Sequence, residues 1–154
     1  MNTQELSFGQ RIDAENGLVE CWFTHGSLDW IKRQDWTNKI VWMFGAGLGD
    51  AWLAKRCKKL YVVERNQEWL MRMNNFCHLN HITNIEYVYR PCNDCNGMDE
   101  MYCDIPFHAD VVINDDAYRY EVIEKALTLP RPLILVVDNW MQDYVFLCSI
   151  GEEL

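Results

Sequence analysis

The run Lys39-Ile40-Val41-Trp42-Met43-Phe44 feeds directly into Gly45-Ala46-Gly47-Leu48-Gly49-Asp50. An apolar run of this length reads as a buried strand. The glycines behind it let the backbone turn sharply and let a ligand approach with no Cβ in the way. A helix is expected from Asp50 to about Cys57, followed by a second strand, Leu60 to Glu64, that ends in an acid 19 residues past the first glycine. At that distance a carboxylate reaches a ribose and accepts from both of its hydroxyls. The plainer alternative is a structural tight turn followed by a surface acid.

Two kinds of nucleoside cofactor suit such a layout, and the sixth loop position separates them. A dinucleotide site wants glycine there, where helix, strand and pyrophosphate crowd together. This chain has Asp50, an anion where the pyrophosphate would lie, and the spacing of Gly45, Gly47 and Gly49 is GxGxG. That pattern favours a cofactor without phosphates.

The rest of the chain alternates apolar runs with helix-period segments, the pattern of a doubly wound, mostly parallel α/β sheet. Further strands are expected at Ile85 to Tyr89, Asp110 to Asn114 and Leu133 to Asp138. Helices are expected at about 67–80, 97–103 and 120–129, and a final one at 141–149. Ser27 is positioned to cap a helix over roughly 28–35. Residues 1–36 read as an N-terminal arm and helical cover, and residues 37–154 as the Rossmann-like domain, the whole forming one compact unit.

Composition narrows the partners. The formal net charge is −9 and the sequence pI is about 4.8, which argues against extended contact with nucleic-acid backbone or an anionic membrane. The longest apolar run, Leu133 to Val137, is too short to span a bilayer, and the first residues carry no apolar signal region. Seven cysteines at irregular spacing in such a chain read as reduced thiols of a cytoplasmic protein. Cys92 and Cys95 form a CxxC, with Cys77, His78, His81 and Cys103 nearby, but only that one pair has zinc-site spacing. A small-molecule substrate is the expected partner.

A second constellation closes the fourth and fifth strands: Asn114-Asp115-Asp116, and Asp138-Asn139. Carboxyl ends of strands in such a sheet converge on one crevice, so Asp115, Asp138 and Asn139 are expected to face a common site. Three hard oxygen donors suit Mg2+; they equally suit orienting a substrate or exchanging a proton. Alternatively, Asp116 and Asn139 cap the helices that follow.

The run VWMFGAGLGDAWLAKRCKKLYVVERNQEWL, with DVVINDDAYRY and LILVVDNW farther on, resembles class I S-adenosylmethionine-dependent methyltransferases, in particular small bacterial and phage-type members. The resemblance implies that Phe44, Gly45, Ala46, Gly47 and Gly49 form the cofactor loop, the first three glycine-loop residues passing under the methionine part. It implies that Glu64 binds the ribose, that Arg65 lies next to the adenine edge, and that Asp94 meets the adenine amine. Asp115 would sit beside the sulfonium and the methyl acceptor. Asp138-Asn139 resembles the metal-binding pair of catechol-type O-methyltransferases, with Asp115 as third ligand. The implied activity is methyl transfer to a small or O-type acceptor. A non-catalytic methyltransferase-like binding module and an NAD-binding oxidoreductase are the alternatives.

Two features depart from the family. Where Met43 stands, the family usually has an acid that helps arrange the glycine loop. The chain also stops soon after the fifth strand, so the usual C-terminal strand hairpin is expected to be missing. That would leave the fifth strand as an exposed edge, which self-association into a homo-oligomer would cover.

Overall fold

The computed structural model describes residues 11–21, 23, 25–92, 102–116, 118–129, 134–140 and 144–149, the stretches 138–140 and 144–149 by backbone course alone. The described elements run α1 (His25–Arg33), β1 (Ile40–Phe44), α2 (Asp50–Ala54), β2 (Lys59–Glu64), α3 (Gln67–Leu79), β3 (Ile85–Tyr89), β4 (Val111–Asn114), α4 (Arg119–Leu127), β5 (Ile134–Trp140) and β6 (Tyr144–Ser149). The expected helix at 97–103 lies outside the described residues.

The strands form one sheet in the order β3-β2-β1-β4-β5-β6. The first five are parallel and β6 is antiparallel to β5. β1 is central and closely covered, which is why its sequence is continuously apolar rather than alternating. Val41 and Met43 face α1, α2 and α3, together with Leu60 and Val62 of β2 and Val111 and Ile113 of β4. Trp42 and Phe44 face the opposite way, toward Tyr102, Ile105 and the Val122–Ala126 side of α4. The chain leaves β1 for β2 on one side and reaches β4 on the other, so the order reverses beside β1. In such sheets the crevice beyond that reversal is where ligands bind.

Two sequence expectations change. Ser27 lies inside α1, buried, rather than capping it, because the helix begins at His25. The segment expected to be a closing helix is instead β6. Tyr144-Val145-Phe146 is aromatic and β-branched, a composition that suits a pleated strand, and β5 offers it an open edge to pair with. The β5–β6 pair therefore stands where a missing hairpin was expected, and it removes the uncovered β5 edge that motivated an oligomer.

The arm is part of the core. Ile12 and Val19 form an antiparallel bridge. Asp13, buried at the base of that turn, accepts from the Trp52 indole at 2.6 Å and from Arg56 at 3.0 Å, tying the arm to α2. Glu20 pairs with Arg11 and Lys32.

Candidate functional site

Every peptide at the turn of the glycine loop is held. Gly45 N–H donates to the Val63 carbonyl at 2.9 Å. Ala46 N–H donates to Glu64 Oε2 at 3.0 Å, and the Ala46 carbonyl accepts from the Trp69 indole at 2.7 Å. Gly47 N–H lies 3.0 and 3.1 Å from the two oxygens of Asp50. The loop is thus fixed by two groups from β2, one from α3 and one from α2.

The three glycines have different reasons to be glycine. Gly45 has φ +91°, a left-handed backbone that disfavours any side chain, and a Cβ there would lie 3.1 Å from the Asp115 carbonyl oxygen. Gly49 backs onto the arm: a Cβ would fall 2.4 Å from Cys21 Cα, so this glycine serves packing of the arm rather than an open cleft. A Cβ on Gly47 would meet nothing within 4 Å and would project into open space. Phe44 is fully buried against Tyr102, with ring centroids 5.8 Å apart, so its side chain belongs to the core; its carbonyl accepts from Asp115 N–H at 3.1 Å.

Glu64 is buried at the end of β2, and its other oxygen accepts from Asn66 N–H at 2.7 Å. An ionised carboxylate offers about four acceptor positions. The two backbone donors leave capacity for a pair of ribose hydroxyls.

The acid that anchors the loop is Asp50, since Met43 in β1 carries no polar group to do so. Met43 is buried among apolar neighbours, opposite Val62, which in turn lies opposite Tyr87. The Tyr87 hydroxyl rises from that row and donates to Asp50 Oδ2 at 2.8 Å. Burial, opposed by hydrogen bonds from Gly47 and Tyr87, raises the Asp50 carboxyl to about 7. Burial, with the charge of Asp50, also pushes the Tyr87 hydroxyl far up, so Tyr87 stays a donor. Neither the Asp50 anchor nor the Trp69 bond was read from sequence. The signal for Trp69 was a half-buried indole in the first turn of α3, since such an N–H takes a partner.

At the far side of the crevice, Arg65 pairs with Asp116 at 3.5 Å and lies 5.5 Å from the centre of the Tyr118 ring. The proximity of Asp116 raises the Arg65 pKa further above its ordinary value. Tyr102 donates to Asp116, and the Tyr102 and Tyr118 rings pack at 5.3 Å. Arg65 thus bridges the ends of β2 and β4. Asp116, expected as a helix cap, accepts from Tyr102 instead, and its own N–H donates to Asn114 Oδ1 at 3.1 Å.

Asp115 is half-buried at the end of β4, directly against Gly45. Asn114 is opposite Val137, so Asp115 and Asp138 each follow a paired position on neighbouring strands. The side chains of Asp138 and Asn139, and all of Asp94 and Cys95, lie outside the described residues. Among the described residues no group of three His, Cys, Asp or Glu is placed to hold a metal. Cys77 is buried beside Tyr87, its thiol raised by burial to about 11. Among the described residues, Cys21, Cys57, Cys77, Cys92 and Cys103 form no disulfide. No described helix is long and apolar enough to cross a membrane.

Solved structures share this architecture. M. jannaschii TYW2, solved in complex with AdoMet, matches over 82% of this chain and 61% of its own, at 18% identity and a TM-score of 0.56. A dimethyladenosine transferase from Plasmodium falciparum matches over 75% of this chain and 41% of its own, at 20% identity and TM-score 0.55. An rRNA methylase from Streptococcus thermophilus matches over 73% and 69%, at 22% identity and TM-score 0.52. This chain therefore spans about half the length of several of the structures it matches. No family model matches the sequence, and no curated protein does either. The chain has the fold of the class I S-adenosylmethionine-dependent methyltransferases.

Proposed function

We propose that the chain binds S-adenosylmethionine at the loop Gly45–Gly47 and Glu64, and that it transfers the methyl group to a small acceptor bearing a hydroxyl. The observation that carries this reading is the pairing of Glu64 with the loop. Its carboxylate closes the turn through Ala46 and keeps acceptor capacity for a ribose. A Cβ on Gly47 would meet nothing, so that side of the loop is open to a ligand.

The same geometry speaks against a dinucleotide. A pyrophosphate site needs loop N–H groups pointing at the ligand. Here the Ala46 and Gly47 N–H groups are already committed to carboxylates. Asp50 adds an acid where the phosphates would sit.

Bound there, the cofactor supplies an electrophilic methyl on a sulfonium. The chain's own work is largely positioning: Glu64 holds the ribose, and Gly45 lets the loop lie against the end of β4. Asp115, whose backbone lies at that contact, takes the proton of a hydroxyl acceptor in this reading. The net charge of −9 favours a small acceptor over a long nucleic acid, although two of the similar structures are named as an rRNA methylase and a dimethyladenosine transferase.

Calorimetric titration with S-adenosylhomocysteine and NAD tests the site. Binding of S-adenosylhomocysteine, weakened at least tenfold in Glu64→Ala, and no binding of NAD are expected. NAD binding would restore the oxidoreductase reading. Binding of neither would leave a partner-binding module as the function of the fold.

A further inference from the structure

Asp50 has no exposed surface, yet both its oxygens are used on the loop. The groups facing it come from four elements. Tyr87 of β3 donates to it at 2.8 Å, and Cys77 of α3 stands 3.3 Å behind that hydroxyl. Glu64 of β2 is close enough to oppose its ionisation, and Cys21 of the arm lies against the neighbouring Gly49. None of these groups is a cation. A carboxyl so enclosed, with another carboxylate nearby, favours keeping its proton; the Tyr87 hydroxyl, 2.8 Å away, is then the acceptor for it and turns its own hydrogen toward Cys77 Sγ at 3.3 Å. A cation placed on the loop reverses that preference, because an opposite charge in a dry surrounding favours the ionised form.

We propose that Asp50 is a positioning residue for the cofactor's amino-acid tail, acting through Gly47 and losing its proton when the tail's ammonium settles on the loop. This rests on the cofactor reading above. The O–H bond of the Asp50 carboxyl breaks, the electron pair stays on the carboxylate, and the proton passes to solvent. The ligand's own charge is unchanged. The resulting carboxylate grips Gly47 N–H more strongly, since a hydrogen bond to an ionised acceptor is roughly twice as strong as a neutral one. Loop order and cofactor charge thereby become coupled. The burial-raised pKa of Asp50, about 7, places this coupling near neutral pH.

The test is calorimetry of S-adenosylhomocysteine in buffers of different ionisation enthalpy, between about pH 5.5 and about pH 7.5, where the ligand's ammonium keeps its charge. The wild-type protein is expected to release a fraction of a proton that grows toward low pH, and to bind roughly tenfold more tightly at the upper end of the range. 5′-Methylthioadenosine, which has the nucleoside and sulfur but no amino-acid tail, is expected to bind with no proton release. Asp50→Asn keeps an acceptor for Gly47 and cannot ionise, so its affinity for S-adenosylhomocysteine should be flat with pH. Tyr87→Phe removes a hydrogen bond that favours ionised Asp50, so its profile should move to higher pH. Tight wild-type binding with no proton release, or the same release in Asp50→Asn, overturns the inference while leaving the cofactor site standing. No binding of S-adenosylhomocysteine by the wild type removes the cofactor site and the inference together.

Discussion

Glu64 and Ala46 are joined by a hydrogen bond of 3.0 Å that links the end of β2 to the turn after β1. A residue expected to serve only a ligand is therefore also a structural support. Glu64→Ala leaves the Ala46 and Asn66 N–H groups without this acceptor. Leaving a buried donor unsatisfied costs about 1–3 kcal/mol. Urea unfolding should show a loss in that range without any ligand present. Glu64→Gln, which retains one acceptor oxygen, should lose less.

The three loop glycines should separate fold from binding. Gly45→Ala is strained by its φ of +91° and by the Asp115 carbonyl, and strain of this kind costs on the order of 1–3 kcal/mol. Gly49→Ala drives a methyl into the backbone at Cys21, so it should cost a similar amount and make the arm more accessible to proteases. Gly47→Ala meets nothing and should leave the unfolding midpoint nearly unchanged, while weakening S-adenosylhomocysteine binding by putting a methyl group where the ligand lies against the loop. Thermal unfolding and calorimetry on the three variants check the pattern.

Two buried aspartates should give opposite pH dependences. Asp50 has a folded pKa of about 7, raised above its unfolded value near 3.8. The stability associated with its protonated form is complete below the unfolded value and is lost as pH rises through about 7. Relative to wild type, Asp50→Asn should gain stability between pH 4.5 and 7.5, by a few kcal/mol at most on the order of the shift. For Asp13, burial raises the pKa, but hydrogen bonds from Glu15 and Trp52 and the charge of Arg56 outweigh it and hold the carboxyl low. Its contribution is present above the unfolded value and lost as pH falls through the folded one. Urea midpoints across the pH range for wild type and Asp50→Asn measure the first effect.

Asp13→Ala removes the partner of the fully buried Trp52 indole and of Arg56. A loss of about 1–3 kcal/mol is expected from the stranded indole N–H. Asp13→Asn, which keeps an acceptor oxygen, should lose less. Fluorescence-detected urea unfolding checks both.

Much of this architecture was legible in the residues. Strands β1 to β5 fell within a residue or two of where apolar runs placed them, because strands buried on both faces are written as unbroken hydrophobic stretches. The turn at Gly45 and the acid at Glu64 were legible because backbone conformation and strand length fix where the chain turns and where a strand ends. The tail after β5 was misread: helix and strand periods are hard to tell apart over so few residues, and only the open edge of β5 decides the matter. Within the site, the loop's supports were hidden. Asp50 reads in sequence as an obstacle to phosphate, and only the fold reveals that Tyr87, 37 residues away, donates to it. Trp69 reads as an apolar helix position, yet its indole holds the Ala46 carbonyl. Contacts between distant segments depend on register, which no local pattern encodes.

The central claim is that Glu64 and the Gly45–Gly47 turn hold the nucleoside of S-adenosylmethionine. A crystal structure of the chain grown with S-adenosylhomocysteine measures this directly. Both ribose hydroxyls are expected within hydrogen-bond distance of the Glu64 carboxylate, with the amino-acid tail lying over Gly47. A ligand bound elsewhere, with Glu64 touching only Ala46 and Asn66, would contradict it.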